Sequence, residues 1–108
     1  MLYFEDFILG ETVPTGSLAV SEGDIVAFAS RFDAQDFHVD PQKAKGSFVG
    51  TLIASGWHSC SLLMRLMAQS FLLNSSGMGA PGIEEVKWLR PVQPGDALHG
   101  RRTVTEVK

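Results

Sequence analysis

The chain has 108 residues, 44% of them hydrophobic and 19% charged, so we predict one globular domain over residues 1–108. A formal net charge of −3, with the charges dispersed along the chain, excludes the basic surfaces that bind nucleic acid or membranes. The single cysteine, Cys60, excludes an internal disulfide framework and favours a reducing compartment such as the cytoplasm.

The first predicted elements are a short strand and a helix. Apolar and β-forming residues predict a strand at Ser17–Val20. The Ser-x-x-Asp pattern that starts at Ser21 is a helix-capping pattern, and apolar residues at helical spacing follow it. A helix is therefore predicted from Ser21 to the neighbourhood of Asp33. Residues 34–50 contain proline and glycine and predict a loop with at most one helical turn, Pro41–Lys45.

The stretch Thr51–Leu73 predicts a long helix. Its apolar residues cover most of the helical circumference, so we expect burial on nearly all sides. Polar residues interrupt its apolar runs, which is not typical of a membrane span. Two strands, Ile83–Val92 and Ala97–Val107, are predicted after it, joined by a turn at Gln93–Asp96. This order predicts an α+β fold whose few strands need completion by a second subunit or by chain beyond Lys108.

Asp33 and His38 are the first candidates for chemistry. Residues five apart on a continuous helix point about 140° away from each other, so they can share a site only if the helix breaks between them. The end of the apolar pattern near Asp33 predicts that break. A carboxylate beside an imidazole can fix its tautomer, raise its basicity and help it hold water. The alternative is an exposed loop histidine among solvated carboxylates.

The entry of the long helix, Ile53-Ala54-Ser55-Gly56, is the second candidate. Free N–H groups at a helix N-terminus can bind a carbonyl oxygen that becomes negative during a reaction. Gly56 would let a substrate approach the backbone closely. The alternative is a glycine that serves only the packing of the helix.

The remaining reactive residue types carry weaker signals. Cys60 and His58 lie in the apolar helix, where a core position is favoured for both. For His58 a hydrogen-bonded core histidine is favoured over one that lines a pocket. His99 is expected at the surface of a strand, and Trp88 in packing. No metal or organic cofactor is predicted, since the histidines lack ligand spacing and no glycine-rich phosphate loop follows a strand.

These residues resemble the MaoC-like dehydratases, a family that includes the (R)-specific enoyl-CoA hydratases. Three groups of residues along the chain carry the resemblance. They are Phe4-Glu5-Asp6-Phe7 with Gly10, Asp33-x-Gln35-x-Phe37-His38-x-Asp40 with Ala44, Phe48 and Ile53-Ala54-Ser55-Gly56, and Arg90-Pro91-Val92-x-Pro94-Gly95-Asp96.

The resemblance implies a hot-dog fold, in which an antiparallel sheet wraps around the long apolar helix. It also implies a hydratase or dehydratase that acts on an enoyl thioester, with acyl-CoA as substrate, working as a homodimer. Asp33 and His38 match the family's catalytic pair, and Gly56 matches the glycine whose N–H polarises the thioester carbonyl. Substrate-binding positions match Gln35, Phe48, Ile53, Ala54 and Ser55. Chains of this family continue into two further strands, which are expected to be missing after Lys108.

Two other functions remain open. Gln35 and Asp36 stand where the hydratases typically carry Asn-Pro. This difference and the expected lack of two strands favour a non-catalytic module that binds acyl-CoA or a protein partner. A thioesterase is less favoured, because other hot-dog families place a carboxylate on the long helix and residues 51–73 contain none.

Overall fold

The computed structural model describes residues 1–107, which form a two-stranded antiparallel sheet, one long helix and three shorter ones. The strands are β1 (Thr12–Ala19) and β2 (Ala97–Thr103), and the helices are α1 (Glu22–Phe32), α2 (Asp36–Val39), α3 (Pro41–Ala44) and α4 (Gly56–Ser70). Single 3₁₀ turns lie at Phe4–Asp6 and Leu72–Asn74. The mixture of helices and an antiparallel sheet confirms the predicted α+β class.

The sheet packs on α4 through a hollow made by two glycines. The register of β1 and β2 places Gly16 opposite Gly100. A Cβ atom on Gly16 would lie 3.5 Å from Cδ2 of Leu66, and one on Gly100 would lie 3.3 Å from its Cδ1. Leu66 of α4 is 5% exposed and packs against the strands at these two glycines.

Helix α1 begins where its capping pattern predicts. Ser21 Oγ accepts a hydrogen bond from the Asp24 N–H at 3.1 Å, which satisfies one of the free donors of the first turn. Ile25 and Ala29, about one turn apart, are fully buried. This face of α1 belongs to a core whose central members are Val20, Ile25, Ala44, Leu52 and Ala54.

The prediction of a strand at Ile83–Val92 is wrong. Within residues 1–107 this segment has no partner strand, and β2 pairs with β1 rather than with the segment that precedes it. The Ala54 N–H instead donates to the Val92 carbonyl at 2.8 Å, so the segment's end runs beside the entry of α4. Alternating side chains fit any extended segment with one face on protein, whether or not it pairs.

The other boundaries differ at their ends. β1 starts before the predicted strand Ser17–Val20, and β2 ends before Val107. The predicted loop 34–50 holds two short helices, α2 and α3, where at most one turn was expected. Helix α4 occupies only part of the predicted Thr51–Leu73.

The predicted burial of α4 on nearly all sides is also wrong for the part of the chain that the structure describes. Trp57 is 60% exposed and Met64 is 51% exposed. The helix contacts β1, β2, α1 and the 3₁₀ turn Leu72–Asn74, and these elements leave part of its apolar surface exposed. None of the helices in residues 1–107 combines the length and the apolar character that crossing a membrane requires.

Candidate active site

A break between two helices brings Asp33 and His38 together. Helix α1 ends at Phe32, and Asp33 follows with an extended backbone (φ −161°, ψ 69°) that no longer continues the helix. A new helix, α2, then carries His38, which is 4% exposed. As a result Nε2 of His38 lies 3.4 Å from Oδ2 of Asp33, although the two residues would point apart on one continuous helix.

The tautomer of His38 follows from its second contact. Nδ1 of His38 lies 2.7 Å from the carbonyl oxygen of Ile53, and a carbonyl can only accept a hydrogen bond. Nδ1 therefore carries the proton and donates it. In the neutral ring Nε2 is then the nitrogen with a free lone pair, on the edge that faces Asp33.

Asp33 is fixed by donors on both of its carboxylate oxygens. Gln35 Nε2 donates to Oδ1 at 2.7 Å, and Ser55 Oγ donates to Oδ2 at 2.7 Å. The hydrogen bond from Gln35 is the main cause that lowers the pKa of Asp33, opposed by burial and supported by Ser55 and by the charge of His38. Asp33 is consequently a carboxylate at neutral pH, able to stabilise an imidazolium beside it.

A cavity of about 310 Å³ opens next to this pair. Its lining combines one imidazole with mostly apolar side chains, so a ligand inside it would be partly shielded from water. The residues that line it are His38, Phe48, Val49, Ile53, Ala54, Gly56, Ser59, Trp88, Arg90, Pro91 and Val92.

The cavity gathers five of the residues singled out from the sequence: His38, Phe48, Ile53, Ala54 and Gly56. The other three lie behind it. Asp33 contacts His38, while Gln35 and the fully buried Ser55 hold the Asp33 carboxylate and do not line the cavity. Their contacts are those of residues that position the acid, and the predicted contact of Gln35 and Ser55 with substrate stays a prediction.

Gly56 is the first residue of α4, and two features of its surroundings matter. Its N–H donates to no acceptor among residues 1–107, as expected at the first position of a helix, and the residue faces the cavity. Its Cα lies under the indole of Trp88, where an added Cβ would be 2.5 Å from Trp88 Cε2. The structure shows the close packing contact, and the role of the Gly56 N–H as a donor to substrate stays a prediction.

Several cavity residues were not singled out as site residues in the sequence. Trp88, Arg90, Pro91 and Val92 belong to one segment, whose end is held beside the entry of α4 by the hydrogen bond from the Ala54 N–H to the Val92 carbonyl. The sequence showed this segment only as the pattern of a strand. It could not show that the end of the segment lies next to α2 and the start of α4.

His58, the third residue of α4, is a core residue. It is 6% exposed and stacks on Phe28 of α1, with ring centroids 4.7 Å apart and planes inclined by 7°. Its Nδ1 is buried and has no hydrogen-bond partner among residues 1–107, which differs from the hydrogen-bonded core histidine that was favoured. Burial lowers the pKa of His58, opposed by the negative charge of Asp24.

We expect His58 to make the folded state acid-sensitive. Because its folded-state pKa lies below the ordinary value of about 6.5, the unfolded chain binds more protons there, and the free energy of unfolding should fall as pH drops below that value. His58→Phe keeps a ring on Phe28 but cannot titrate, so urea unfolding between pH 5 and 7 should show a shallower pH slope. His99→Phe, at an exposed position of β2, is the control. Equal slopes for wild type and His58→Phe would contradict the assignment.

A family model described as a MaoC like domain matches residues 6–108. The uncharacterized protein YdeM of Bacillus subtilis is 35% identical over 104 residues, which are 95% of this chain and 71% of that protein.

Solved structures give the same result. A MaoC-like dehydratase from Rhodospirillum rubrum superposes with a TM-score of 0.85 at 39% identity, covering 94% of this chain and 68% of that one. A protein from Archaeoglobus fulgidus described as a monoamine oxidase regulatory protein superposes with a TM-score of 0.81 at 33% identity, covering 93% and 68%. These superpositions confirm the predicted hot-dog fold. Since the family match includes the Asp33–His38 pair, the start of α4 and every residue of the cavity, the chain belongs to the MaoC-like domain family.

Proposed function

We propose that the protein is an enoyl-thioester hydratase, which adds water to the double bond conjugated with a thioester carbonyl or removes it in reverse, with enoyl-CoA as substrate. One observation carries the proposal: His38, paired with Asp33 at 3.4 Å, lines the same cavity as the free first amide of α4. A base for water and a donor for the carbonyl oxygen are the two groups that this addition requires.

His38 would act as the base through Nε2, because Nδ1 is engaged by the Ile53 carbonyl at 2.7 Å. A water molecule beside Nε2 gives up its proton as its oxygen attacks the β-carbon of the enoyl group. Asp33 stays ionised and stabilises the imidazolium that forms. General base catalysis of this kind contributes about 10²- to 10⁴-fold to a rate.

The thioester carbonyl would point to the N-terminus of α4. When water adds to the β-carbon, the electrons of the double bond move to the carbonyl oxygen and give an enolate. The N–H of Gly56 and the positive end of the helix dipole stabilise that negative oxygen. The imidazolium then returns its proton to the α-carbon, so the net result is one H and one OH added across the double bond.

The comparisons support this reading at the level of the family. The Rhodospirillum rubrum protein, 39% identical, is described as a MaoC-like dehydratase, and dehydration is the reverse of the proposed reaction.

The test is a spectrophotometric assay of purified protein with a short trans-2-enoyl-CoA, in which hydration removes the absorbance of the conjugated thioester. Loss of absorbance that scales with protein concentration supports the proposal, and no loss with enoyl groups of several lengths contradicts it.

A binding module without turnover is the alternative. It is favoured by the Archaeoglobus fulgidus relative, 33% identical, which is described as a regulatory protein. Calorimetry with acyl-CoA esters, run beside the absorbance assay, separates the two functions. Binding without hydration would favour the module.

We further propose that the protein works in the cytoplasm as a homodimer. A reducing compartment suits the free thiol of Cys60, and the exposed apolar side chains of α4, Trp57 and Met64 among them, offer a surface for a second copy. Light scattering at micromolar concentration is expected to give the mass of a dimer, and a monomer would contradict the proposal.

A further inference from the structure

Arg90 is a charged residue that lines the cavity, and it has no role in the proposed reaction. It lies on the segment 83–92, of which Trp88, Arg90, Pro91 and Val92 line the cavity. On the same segment Lys87 pairs with Glu85 at 3.2 Å, so that those two charges neutralise each other. Arg90 has neither an ion pair nor a hydrogen bond with any residue of the described chain, 1–107.

The surroundings of Arg90 leave its charge uncompensated. None of the residues that line the cavity is an aspartate or a glutamate. The nearby carboxylate of the site, Asp33, is already engaged by Gln35 and Ser55 and faces His38. The N-terminal end of α4, a helix of 15 residues, adds the positive end of its dipole to the same cavity. The electrostatic character of the opening therefore favours an anion.

Arg90 lies close to the proposed carbonyl site. The indole of Trp88 packs on Gly56, which anchors the segment at the start of α4. Arg90 follows Trp88 by two residues and lines the same cavity as Gly56. A planar guanidinium there can bind carboxylate or phosphate oxygens with two parallel hydrogen bonds.

We propose that Arg90 is a specificity-determining residue that binds an anionic group of the substrate at the mouth of the cavity. This inference rests on the proposed hydratase function and specifies its substrate as an enoyl thioester that carries an oxyanion away from the reacting double bond. The oxyanion is either a phosphate of the carrier arm or a carboxylate on the acyl group, both of which a guanidinium recognises in the same way.

The test compares three substrates that share one enoyl group: the CoA thioester, the uncharged N-acetylcysteamine thioester, and the N-acetylcysteamine thioester with a terminal carboxylate on the acyl chain. Arg90→Gln should raise KM about ten- to a hundredfold for the substrate whose anion it binds, with little change in kcat. KM for the uncharged thioester should stay the same. An effect on the CoA thioester identifies a carrier phosphate, and one on the carboxylated thioester identifies an acyl carboxylate.

Two controls keep the outcome interpretable. Arg101→Gln removes an exposed arginine from β2, outside the cavity, and should leave all three KM values unchanged. Arg90→Lys keeps the charge but not the planar fork, so it should restore part of the affinity. The same KM change for all three substrates, or no change for any, would overturn the role of Arg90.

Failure of the proposed reaction would be recognised separately. If wild type hydrates none of the substrates, calorimetry with CoA and with the saturated carboxylated N-acetylcysteamine thioester measures binding alone. Weaker binding of one of these probes to Arg90→Gln than to wild type keeps the anion site while rejecting the hydratase. Equal binding of both probes, or no measurable binding of either, would overturn the anion site as well.

Discussion

Replacing His38 by glutamine is expected to lower kcat/KM for hydration of an enoyl-CoA by about 10²- to 10⁴-fold, because the variant has no group that can accept a proton from water. The measurement is the absorbance assay under subsaturating substrate. Asp33→Asn should act in the same direction, since an amide beside Nε2 cannot stabilise the imidazolium. Circular dichroism and thermal unfolding report whether each variant keeps the fold.

The matched control is His99→Gln, the same substitution at an exposed residue of β2 outside the cavity. It is expected to keep the activity of wild type. If the folded variants His38→Gln and Asp33→Asn both hydrate the substrate as fast as His99→Gln does, Asp33 and His38 have no part in the chemistry, even though their side chains are in contact.

Gly56→Ala is expected to destabilise the protein by about 1–3 kcal/mol, the usual cost of forcing an extra carbon into a packed contact. The reason is specific: the new Cβ would stand 2.5 Å from Trp88 Cε2, so the indole and its segment must move away from α4. Because Arg90 and Val92 belong to that segment and line the cavity, the rate should fall as well. Urea unfolding and the absorbance assay measure the two effects.

A double variant separates the two roles of Gly56. Alanine keeps the backbone N–H, so removing the indole in Gly56→Ala/Trp88→Ala should relieve the clash without removing the donor. The two substitutions should therefore be coupled by about 0.5–3 kcal/mol in a double-mutant cycle, as is usual for residues in contact. Additive effects on unfolding would show that the indole does not constrain this position.

The local signals in the sequence predicted most of the helical framework. The Ser-x-x-Asp pattern placed the start of α1 at Ser21, and the end of the apolar stripe placed its end next to Asp33. The break between α1 and α2, on which the pairing of Asp33 with His38 depends, was predicted from that stripe alone. These features depend on neighbours within one or two helical turns, which is the range over which capping and periodicity act.

The pairing of strands could not be predicted in this way. Segments 83–92 and 97–107 are adjacent in sequence and both alternate, which favours a hairpin. Instead β2 pairs with β1, and the paired residues are 78 (Ala19 and Ala97) to 91 (Thr12 and Thr103) positions apart. Gly16 and Gly100 lie opposite each other and both face Leu66, a contact that exists only once both strands lie on α4. The burial of α4 was overestimated because it also depends on distant parts of the chain. The sequence shows which residues of the helix are apolar, but it does not show how many elements pack on them.

For the candidate site, the sequence by itself determined which residues of the loop and of the helix entry are candidates for the chemistry: Asp33, His38 and Gly56. Only the tertiary structure decided that Ser55, 22 positions from Asp33, holds its carboxylate, that the Ile53 carbonyl sets the tautomer of His38, and that Trp88 covers Gly56. Each of these contacts joins segments that are separated in the sequence by a loop or a whole helix. Sequence patterns report the face on which a side chain lies, but the partner of that face is chosen by packing and long-range hydrogen bonds, which form only when the chain has folded.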